Sequence, residues 1–142
     1  MCIYSRNIHV RLQDIDAAGI LFFARVFEYC HDTYFALLAD RGIDLPHELA
    51  HGAHIMPLVH CEADFKSPMR FGDAVTVAIT GASAGKSSYR VHYRITGTGD
   101  PEDVRCTATT IHAVVDRQTF RSAPRIPDLI YEALKIPNPH TP

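Results

Sequence analysis

The feature that most constrains the fold of this chain is a long run of residues at helical spacing. They recur at every third or fourth position, which is the period of one face of an α-helix. The positions are Phe23, Val26, Phe27, Cys30, Tyr34, Leu37, Leu38 and Arg41. Gly42 follows directly, and glycine is a common residue just past a helix C-terminus. The pattern predicts one helix of about five turns whose wide, aromatic face is mostly enclosed.

Alternating apolar and polar residues, which are typical of strands, occupy most of the remaining chain. One strand is predicted before the helix, from Tyr4 to Leu12, and four strands are predicted after it. Those four lie at about 55–65, 75–79, 89–95 and 104–115. A short helical turn near Pro46–Ala50 and a short helix at Pro127–Leu134 complete the prediction. One strand, one long helix and then four strands favour an α+β fold, with a five-stranded antiparallel sheet against the helix.

The composition fits one globular domain over residues 1–142. With 46% apolar and 21% charged residues, the chain can bury a core without a metal or a disulfide. A proline-containing tail from about residue 136 is expected to be loose. A sheet of this size leaves its edges and one face uncovered, so we expect a dimer or a larger assembly.

Charge, hydropathy and cysteine content argue against several function classes. No apolar run approaches the ~20 residues of a membrane-spanning helix. The net charge of −2 lacks the basic excess of proteins that bind nucleic acid. The N-terminal segment shows no secretion signal, and four scattered cysteines are typical of reduced thiols. We therefore expect a cytoplasmic protein with neither a membrane nor a nucleic acid as its partner.

Two aspartates, Asp14 and Asp16, precede the small-residue turn Ala17-Ala18-Gly19 that opens the aromatic helix. An aspartate just before a helix commonly caps the free N–H groups of the first turn, and spacing alone favours that role over catalysis. If the first strand continued through both aspartates, they would share a face and could raise each other's pKa. We expect Asp14 to bond local backbone, and either capping or catalysis for Asp16.

Two segments resemble a known family. Residues 16–23, Asp-Ala-Ala-Gly-Ile-Leu-Phe-Phe, look like the signature of hotdog-fold acyl-CoA thioesterases of the 4-hydroxybenzoyl-CoA thioesterase type. Residues 65–73, Phe-Lys-Ser-Pro-Met-Arg-Phe-Gly-Asp, are similar to the Phe-x-x-Pro-x-x-x-Gly-Asp junction of the same family. The resemblance extends from about Ile8 to Val115 and implies a hotdog fold, in which the sheet wraps around the long helix. Residues 10–12 and 57–60 look most like the branch that hydrolyses 1,4-dihydroxy-2-naphthoyl-CoA, whose acyl group is aromatic.

The resemblance implies that this chain hydrolyses an acyl-CoA, with an aromatic acyl group preferred, to a free acid and CoA. It puts the catalytic carboxylate at Asp16, as a nucleophile or as a general base. The backbone N–H of Phe23 would stabilise the oxyanion at the helix N-terminus. Gly19 and Ile20 of the turn would contact the substrate. The resemblance also implies dimers that pair into tetramers, two subunits completing each active site, and no cofactor.

CoA carries phosphates at one end, so cationic side chains are expected near one end of its site. The turn that contains Lys86 and Ser88 matches the family position that approaches the nucleotide, and Arg70 and Arg121 are weaker candidates. His60 lies on the even face of its strand, where it either contacts the acyl group or hydrogen-bonds a neighbour.

Other chemistries are disfavoured. His60 and its neighbour Cys61 point to opposite faces of a strand, and no Cys-x-x-Cys or His-Glu-x-x-His motif occurs, so we expect no metal. A Gly-x-Ser-x-Gly elbow, the mark of an α/β-hydrolase, is also missing. Two alternatives stay open. One is a thioesterase for straight-chain acyl-CoA or acyl-carrier-protein thioesters, and the other is a hotdog module that binds acyl-CoA without cleaving it.

Overall fold

A computed structural model describes residues 2–142. Its elements follow the order that the periodicities predict, with two short strands added. In chain order they are β1 (Tyr4–His9), a 3-10 turn (Leu12–Asp14), α1 (Arg25–Asp40), α2 (Leu45–His51), β2 (His54–Ile55), β3 (Leu58–Phe65), β4 (Ala74–Ala84), β5 (Ser88–Gly97), β6 (Asp100–Ala113), β7 (Val115–Asp116) and α3 (Asp128–Ala133).

The main sheet has five strands in the order β1-β4-β5-β6-β3, and every neighbouring pair is antiparallel. The predicted α+β class and the five-stranded antiparallel sheet are therefore confirmed. β2 and β7 form a separate two-stranded sheet. β1 and β3 lie at the two edges of the main sheet.

Helix α1 packs against one face of this sheet because each of the two presents a continuous apolar surface to the other. The helix buries Val26, Tyr29, Cys30, Thr33, Tyr34, Leu37 and Leu38. The sheet buries alternate residues of three strands, namely Val75, Val77 and Ile79, then Tyr89, Val91, Tyr93 and Ile95, then Cys106, Ala108, Thr110 and His112. Each fully buried aliphatic side chain contributes roughly 1.5–3 kcal/mol, so this interface is the core. No helix among residues 2–142 is both long and apolar enough to cross a membrane.

The C-terminus of α1 ends as the sequence predicts. Gly42 adopts a φ of +82°, which a residue with a side chain rarely tolerates. Its N–H bonds the carbonyl of Ala39, and the N–H of Ile43 bonds that of Leu38, both at 3.0 Å. This pair of bonds is a Schellman motif, which satisfies two of the carbonyl groups left free at the helix end.

The N-terminus of α1 corrects the capping prediction. The helix begins at Arg25, and its cap residue Ala24 makes no side-chain bond to it. Neither Asp14 nor Asp16 caps the helix, because residues 17–24 separate them from its first turn. Each aspartate therefore has a role other than capping α1.

The first strand is shorter than predicted. β1 ends at His9 rather than at Leu12, because its partner strand begins at Ala74 and the chain enters the 3-10 turn at Leu12, after one more backbone bond from the Val10 N–H to the Asp73 carbonyl (2.9 Å). Leu12 is 65% exposed as a result. The two aspartates that follow consequently do not share a strand face, contrary to the expectation from a continuous strand.

The strand predicted over residues 55–65 is divided in two. Pro57 has no N–H to donate to a ladder, and the pairing of β3 with β6 shifts register at Leu58–His60. β2 pairs with β7 instead of β6. β4 is longer than predicted, because a register shift after Ile79 lets it continue through small residues to Ala84.

A polar cluster lies inside the core beneath α1. The hydroxyls of Tyr34 and Tyr89 are 2.6 Å apart, and the ring of His112 stacks on that of Tyr89 with 5.0 Å between centroids. His112 is 2% exposed, and burial lowers its pKa from the ordinary 6.5 to about 4. The imidazole is therefore neutral at pH 7 in the folded protein.

The free energy of unfolding should fall as the pH is lowered from about 6.5 to about 4. The unfolded chain binds a proton at His112 below about pH 6.5, whereas the folded chain does so only near pH 4. Since one pKa unit corresponds to about 1.4 kcal/mol, the loss reaches roughly 3 kcal/mol. His31, whose pKa burial also lowers, adds to it. Urea unfolding at several pH values measures the slope, which should be shallower in His112→Gln and unchanged in the exposed His51→Gln. Equal slopes in all three proteins would contradict this explanation.

Candidate active site

The turn that carries Asp16 is closed by its own backbone. The Asp16 N–H bonds the Ile20 carbonyl at 2.9 Å, and the Gly19 N–H bonds the Asp16 carbonyl at 3.0 Å. Gly19 has a φ of +80°, which glycine adopts without a steric penalty. The Ala18 N–H donates to Asp16 Oδ1 at 2.8 Å. Together these bonds fix the direction of the Asp16 carboxylate.

Asp14, two residues earlier, is committed to the structure and is 1% exposed. The Tyr29 hydroxyl donates to its Oδ2 at 2.6 Å, and the Arg11 guanidinium donates to both oxygens at 2.9 and 3.1 Å. Arg25 Nε lies 3.6 Å from Oδ1. Burial alone would raise the pKa of Asp14, but these hydrogen bonds and charges hold it below its usual value. The role of Asp14 is structural, as expected, although its partners are side chains rather than local backbone.

Asp16 has no comparable set of partners. It is half-buried, and among residues 2–142 its carboxylate forms no ion pair and accepts only the bond from Ala18. A carboxylate that is oriented by one short-range bond keeps lone pairs available to attack a carbonyl carbon or to take a proton. Of the two aspartates, Asp16 is the one that can do chemistry.

Residues 65–73 dock against this turn through backbone bonds. The N–H of Leu21 bonds the Met69 carbonyl at 2.8 Å, and the N–H of Gly72 bonds the Val10 carbonyl at 2.9 Å. The two segments that carry the family resemblance therefore meet in space, although many residues separate them in the chain.

A residue with no sequence signal strengthens this junction. Arg105 Nη1 bonds Asp73 Oδ2 at 2.9 Å and the Pro68 carbonyl at 3.1 Å, and its Nη2 bonds Asp103 Oδ2 at 2.8 Å. Hydrogen bonds to Asp103 and Asp73 raise the pKa of Arg105, so its charge is permanent. Sequence reasoning missed this residue because Asp73 and Pro68 lie 32 and 37 positions away.

The turn and the junction line one cavity of about 470 Å³. Asp16, Ile20 and Phe23 form the wall on the side of the turn. The other lining residues are Leu21, Phe65, Lys66, Ser67, Pro68 and Met69. A mostly apolar cavity with one carboxylate and few other polar groups is typical of a small-molecule site.

Phe23 lies in the turn just before α1, two residues ahead of Arg25, and in the wall of this cavity. Its carbonyl accepts a bond from the Val26 N–H at 3.3 Å, whereas its own N–H has no acceptor among residues 2–142. The free N–H groups at the start of a helix carry partial positive charge. An unbonded N–H in the turn that leads into a helix, in the same cavity as a carboxylate, is suited to stabilise an oxyanion that develops there.

Comparison with known protein families shows the family to which the chain belongs. The family model described as the Thioesterase-like superfamily matches residues 10–134, which include the turn of Asp16 and the junction of residues 65–73. The chain belongs to the Thioesterase-like superfamily.

Individual members of this superfamily are similar to the chain over most of their length. The chain is similar to the 1,4-dihydroxy-2-naphthoyl-CoA hydrolase of Synechococcus elongatus, with 34% identity over 128 residues, covering 89% of this chain and 91% of the relative. It is similar to the hydrolase of the same name from Rippkaea orientalis, with 31% identity over 121 residues, covering 85% and 86%. The solved structure of a 1,4-dihydroxy-2-naphthoyl-CoA thioesterase from Synechocystis superposes with a TM-score of 0.84 at 25% identity, covering 94% of this chain and 96% of the other. The predicted hotdog thioesterase fold and the thioester hydrolase class are confirmed.

In this member of the superfamily, His60 lies apart from the Asp16 cavity. It pairs with Ile111 of β6, and because the next residue, His112, is buried beneath α1, His60 faces the opposite side of the sheet. Its Nε2 lies 3.7 Å from Glu62 Oε1, and both side chains are more than half exposed. Within one chain it cannot reach a substrate held at Asp16.

The other predicted substrate residues are only partly brought together. Ile20 lines the cavity, whereas Gly19 shapes the turn without lining it. Lys86 and Ser88 lie at the β4–β5 turn, which the Gly85 N–H closes by bonding the Ser88 carbonyl at 2.8 Å, outside the cavity wall. Within residues 2–142, no group of three or more His, Cys, Asp or Glu side chains is arranged to hold a metal ion.

Replacing each aspartate by asparagine should separate structure from chemistry. Asp14→Asn removes the charge that its tyrosine and arginine partners surround, so we expect the free energy of unfolding to fall by about 2 kcal/mol. Asp16→Asn keeps the oxygen that accepts the Ala18 N–H, so its loss should stay below about 0.5 kcal/mol. Urea unfolding at pH 7 measures both values. Similar losses in the free energy of unfolding for the two variants would show that Asp14 is no more important to stability than Asp16.

Proposed function

We propose that this chain hydrolyses an aromatic acyl-CoA to the free acid and CoA, with Asp16 as the attacking carboxylate or as the general base. One observation carries the proposal. Asp16 is a half-buried carboxylate, held by one turn bond and free of ion pairs within residues 2–142, in a cavity that is also lined by Phe23, two residues before α1. The names of the similar hydrolases from Synechococcus elongatus and Rippkaea orientalis support an aromatic acyl group.

Both uses of Asp16 give a balanced reaction. As a nucleophile, its oxygen bonds the thioester carbon and the carbon–sulfur bond breaks, which leaves a mixed anhydride and a CoA thiolate that takes up a proton. Water then cleaves the anhydride and restores Asp16. As a general base, Asp16 takes a proton from the water that attacks the same carbon, and the proton passes to the leaving sulfur. In either case we assign stabilisation of the carbonyl oxyanion to the Phe23 N–H.

We assign the remaining predicted residues to binding of the substrate. Ile20 would contact the acyl-CoA near the thioester, with Gly19 letting the turn approach it closely. Lys86 and Ser88 would contact the nucleotide end, whose phosphates attract a cation. Because His60 faces away from α1, it would serve a site that includes a second subunit.

We propose that two copies pair through β3 and that such dimers assemble further into tetramers. β3 is an edge strand, and its Val59 and Phe65 are 59% and 51% exposed. An exposed apolar edge is a template for strand pairing. Phe23 and Phe35 beside it are 60% and 38% exposed, so pairing along this edge would also cover apolar surface next to α1. The second subunit would then complete the open walls of the Asp16 cavity.

We further propose that residues 1–142, of which Met1 lies outside the described part, act as one cytoplasmic domain that needs no cofactor. All four cysteines are unpaired, and Cys30 and Cys106 are buried. Burial raises the pKa of the Cys106 thiol to about 11, so it stays protonated and unreactive. Unpaired thiols are typical of a reducing compartment.

Asp16→Asn should remove the activity and leave the fold intact. Hydrolysis of benzoyl-CoA, measured as release of free thiol, should fall at least ~100-fold, because loss of a nucleophile or general base has an effect of that size or larger. Glu102→Gln is the matched control, since it neutralises an exposed carboxylate in the β5–β6 hairpin, and its rate should equal that of the wild type.

The outcomes of this experiment separate the alternatives. Turnover by Asp16→Asn at the wild-type rate would show that Asp16 has no catalytic role and only shapes the turn. A preference for straight-chain acyl-CoA or acyl-carrier-protein thioesters, abolished in Asp16→Asn, would keep the catalytic role and change the substrate. Tight binding of acyl-CoA with no release of thiol would instead indicate a non-catalytic binding module.

Val59→Lys should dissociate the proposed dimer. The substitution puts a charge on an edge strand at a position exposed in the single chain, so the monomer should fold while strand pairing is blocked. Phe120→Lys is the control, because it replaces a side chain of similar exposure (62%) in the turn after β7. Sedimentation equilibrium measures the masses. A Val59→Lys protein with the same mass as the wild-type assembly, or a monomeric wild type, would refute pairing through β3.

A further inference from the structure

One wall of the Asp16 cavity is a loop. Residues 66–73 connect β3 to β4 and belong to neither a helix nor a strand. Residues 66–69 line the cavity together with the turn that carries Asp16 and Phe23. A site on a loop is less precise than one on a helix or a strand, unless surrounding residues lock the loop in place. The geometry of the cavity therefore depends on what holds this loop.

Arg105 in β6 bonds the loop at four points. Its carbonyl accepts hydrogen bonds from the N–H groups of Lys66 and Ser67, at 2.9 and 3.2 Å. Its guanidinium Nη1 donates to the Pro68 carbonyl at 3.1 Å and to Asp73 Oδ2 at 2.9 Å. Only 18% of the side chain is exposed, so these bonds are stronger than they would be in water. One side chain thus joins the cavity wall to the end of the loop.

The Arg105 guanidinium is itself held in one orientation by Asp103, two residues earlier in β6. Its Nε lies 2.9 Å from both carboxylate oxygens of Asp103, and its Nη2 donates to Oδ2 at 2.8 Å. Gly97 of β5 makes room for this carboxylate, because a Cβ at that position would overlap Asp103 Oδ2. Since the planar guanidinium presents its donors in a fixed fork, Asp103 sets the direction in which Nη1 meets the loop.

A backbone bond joins the loop to the turn of Asp16. Met69 directly follows Pro68, and its carbonyl accepts the Leu21 N–H at 2.8 Å. Leu21 lies five residues after Asp16 and two residues before Phe23. A displacement of the Pro68 carbonyl is therefore passed to Leu21, and it changes the distance between the Asp16 carboxylate and the Phe23 N–H.

We propose that Arg105 is a positioning residue for thioester hydrolysis. By holding the Pro68 carbonyl, it keeps the cavity wall and the turn bonded to that wall at the spacing that the reaction requires. The inference rests on the proposed function, because it takes Asp16 and the Phe23 N–H as the reacting groups. Arg105 touches neither of them, since among residues 2–142 its guanidinium bonds only the loop and Asp103. A misplacement of about 1 Å that originates far from the chemistry can lower the rate of an enzyme roughly 100-fold.

The test measures kcat and KM for benzoyl-CoA in Arg105→Lys, once urea unfolding has shown that the variant is folded under the assay conditions. Lysine keeps the positive charge, but it loses the fork that bonds the loop and Asp103 together. We expect kcat to fall about 30-fold or more. KM should change by less than about threefold, because the parts of CoA remote from the thioester still bind. Arg90→Lys makes the same change at an exposed position in β5, and its kcat should equal that of the wild type.

A second pair of variants tests the same contacts without replacing Arg105. Gly97→Ala displaces the Asp103 carboxylate that orients the guanidinium, so kcat should fall about 5-fold or more. Gly81→Ala adds the same methyl group in β4. Among residues 2–142, nothing except its chain neighbours comes within 4 Å of the new Cβ, so its kcat should equal that of the wild type.

The outcomes distinguish a positioning role from a structural ion pair. A wild-type kcat in folded Arg105→Lys, whether or not KM changes, would overturn the inference. If that variant does not fold, a wild-type kcat in Gly97→Ala would overturn it, and so would an equal fall in either control variant. In each of these cases, loss of hydrolysis in Asp16→Asn would still support the proposed function. Undiminished hydrolysis by Asp16→Asn would overturn both.

Discussion

The region around the candidate site depends on the buried carboxylate of Asp14. The Tyr29 hydroxyl, at 2.6 Å, and the guanidinium groups of Arg11 and Arg25 join the end of β1, the turn before α1 and the helix itself at this one group. A buried carboxylate needs such partners to stay charged. Asp14 thus holds the three segments together, whereas the carboxylate of Asp16 accepts a single local bond among residues 2–142.

The cavity depends in addition on a junction between distant parts of the chain. The backbone bond from Leu21 to Met69 and the side chain of Arg105 hold residues 65–73 against the turn. Neither contact involves Asp16. The direction of its carboxylate is therefore set by rigid backbone around it and not by its own charge, which is the support that a reactive group requires. In the proposed mechanism, substrate chemistry and structural stability rest on different side chains, Asp16 and Asp14.

Much of the fold can be predicted from the sequence because periodicity reports burial directly, as the spacing along α1 and the alternation along β4 to β6 illustrate. The limits of elements cannot be predicted in the same way, since β1 ends where its distant partner strand begins, at Ala74. The resemblance singles out Asp16, but the structural role of Asp14 depends on Tyr29, 15 positions later. The burial of His112 was equally hidden, because a lone histidine in a sequence carries no mark of its burial.

The most direct test of a catalytic role for Asp16 is a structure of the protein with an aryl ketone analogue of benzoyl-CoA, in which a methylene group separates sulfur from the carbonyl and prevents hydrolysis. We expect the ketone oxygen within about 3.1 Å of the Phe23 nitrogen. We also expect an Asp16 oxygen within about 3.5 Å of the ketone carbon, or of a water that faces it. A fully bound analogue whose carbonyl lies away from both groups would contradict that role.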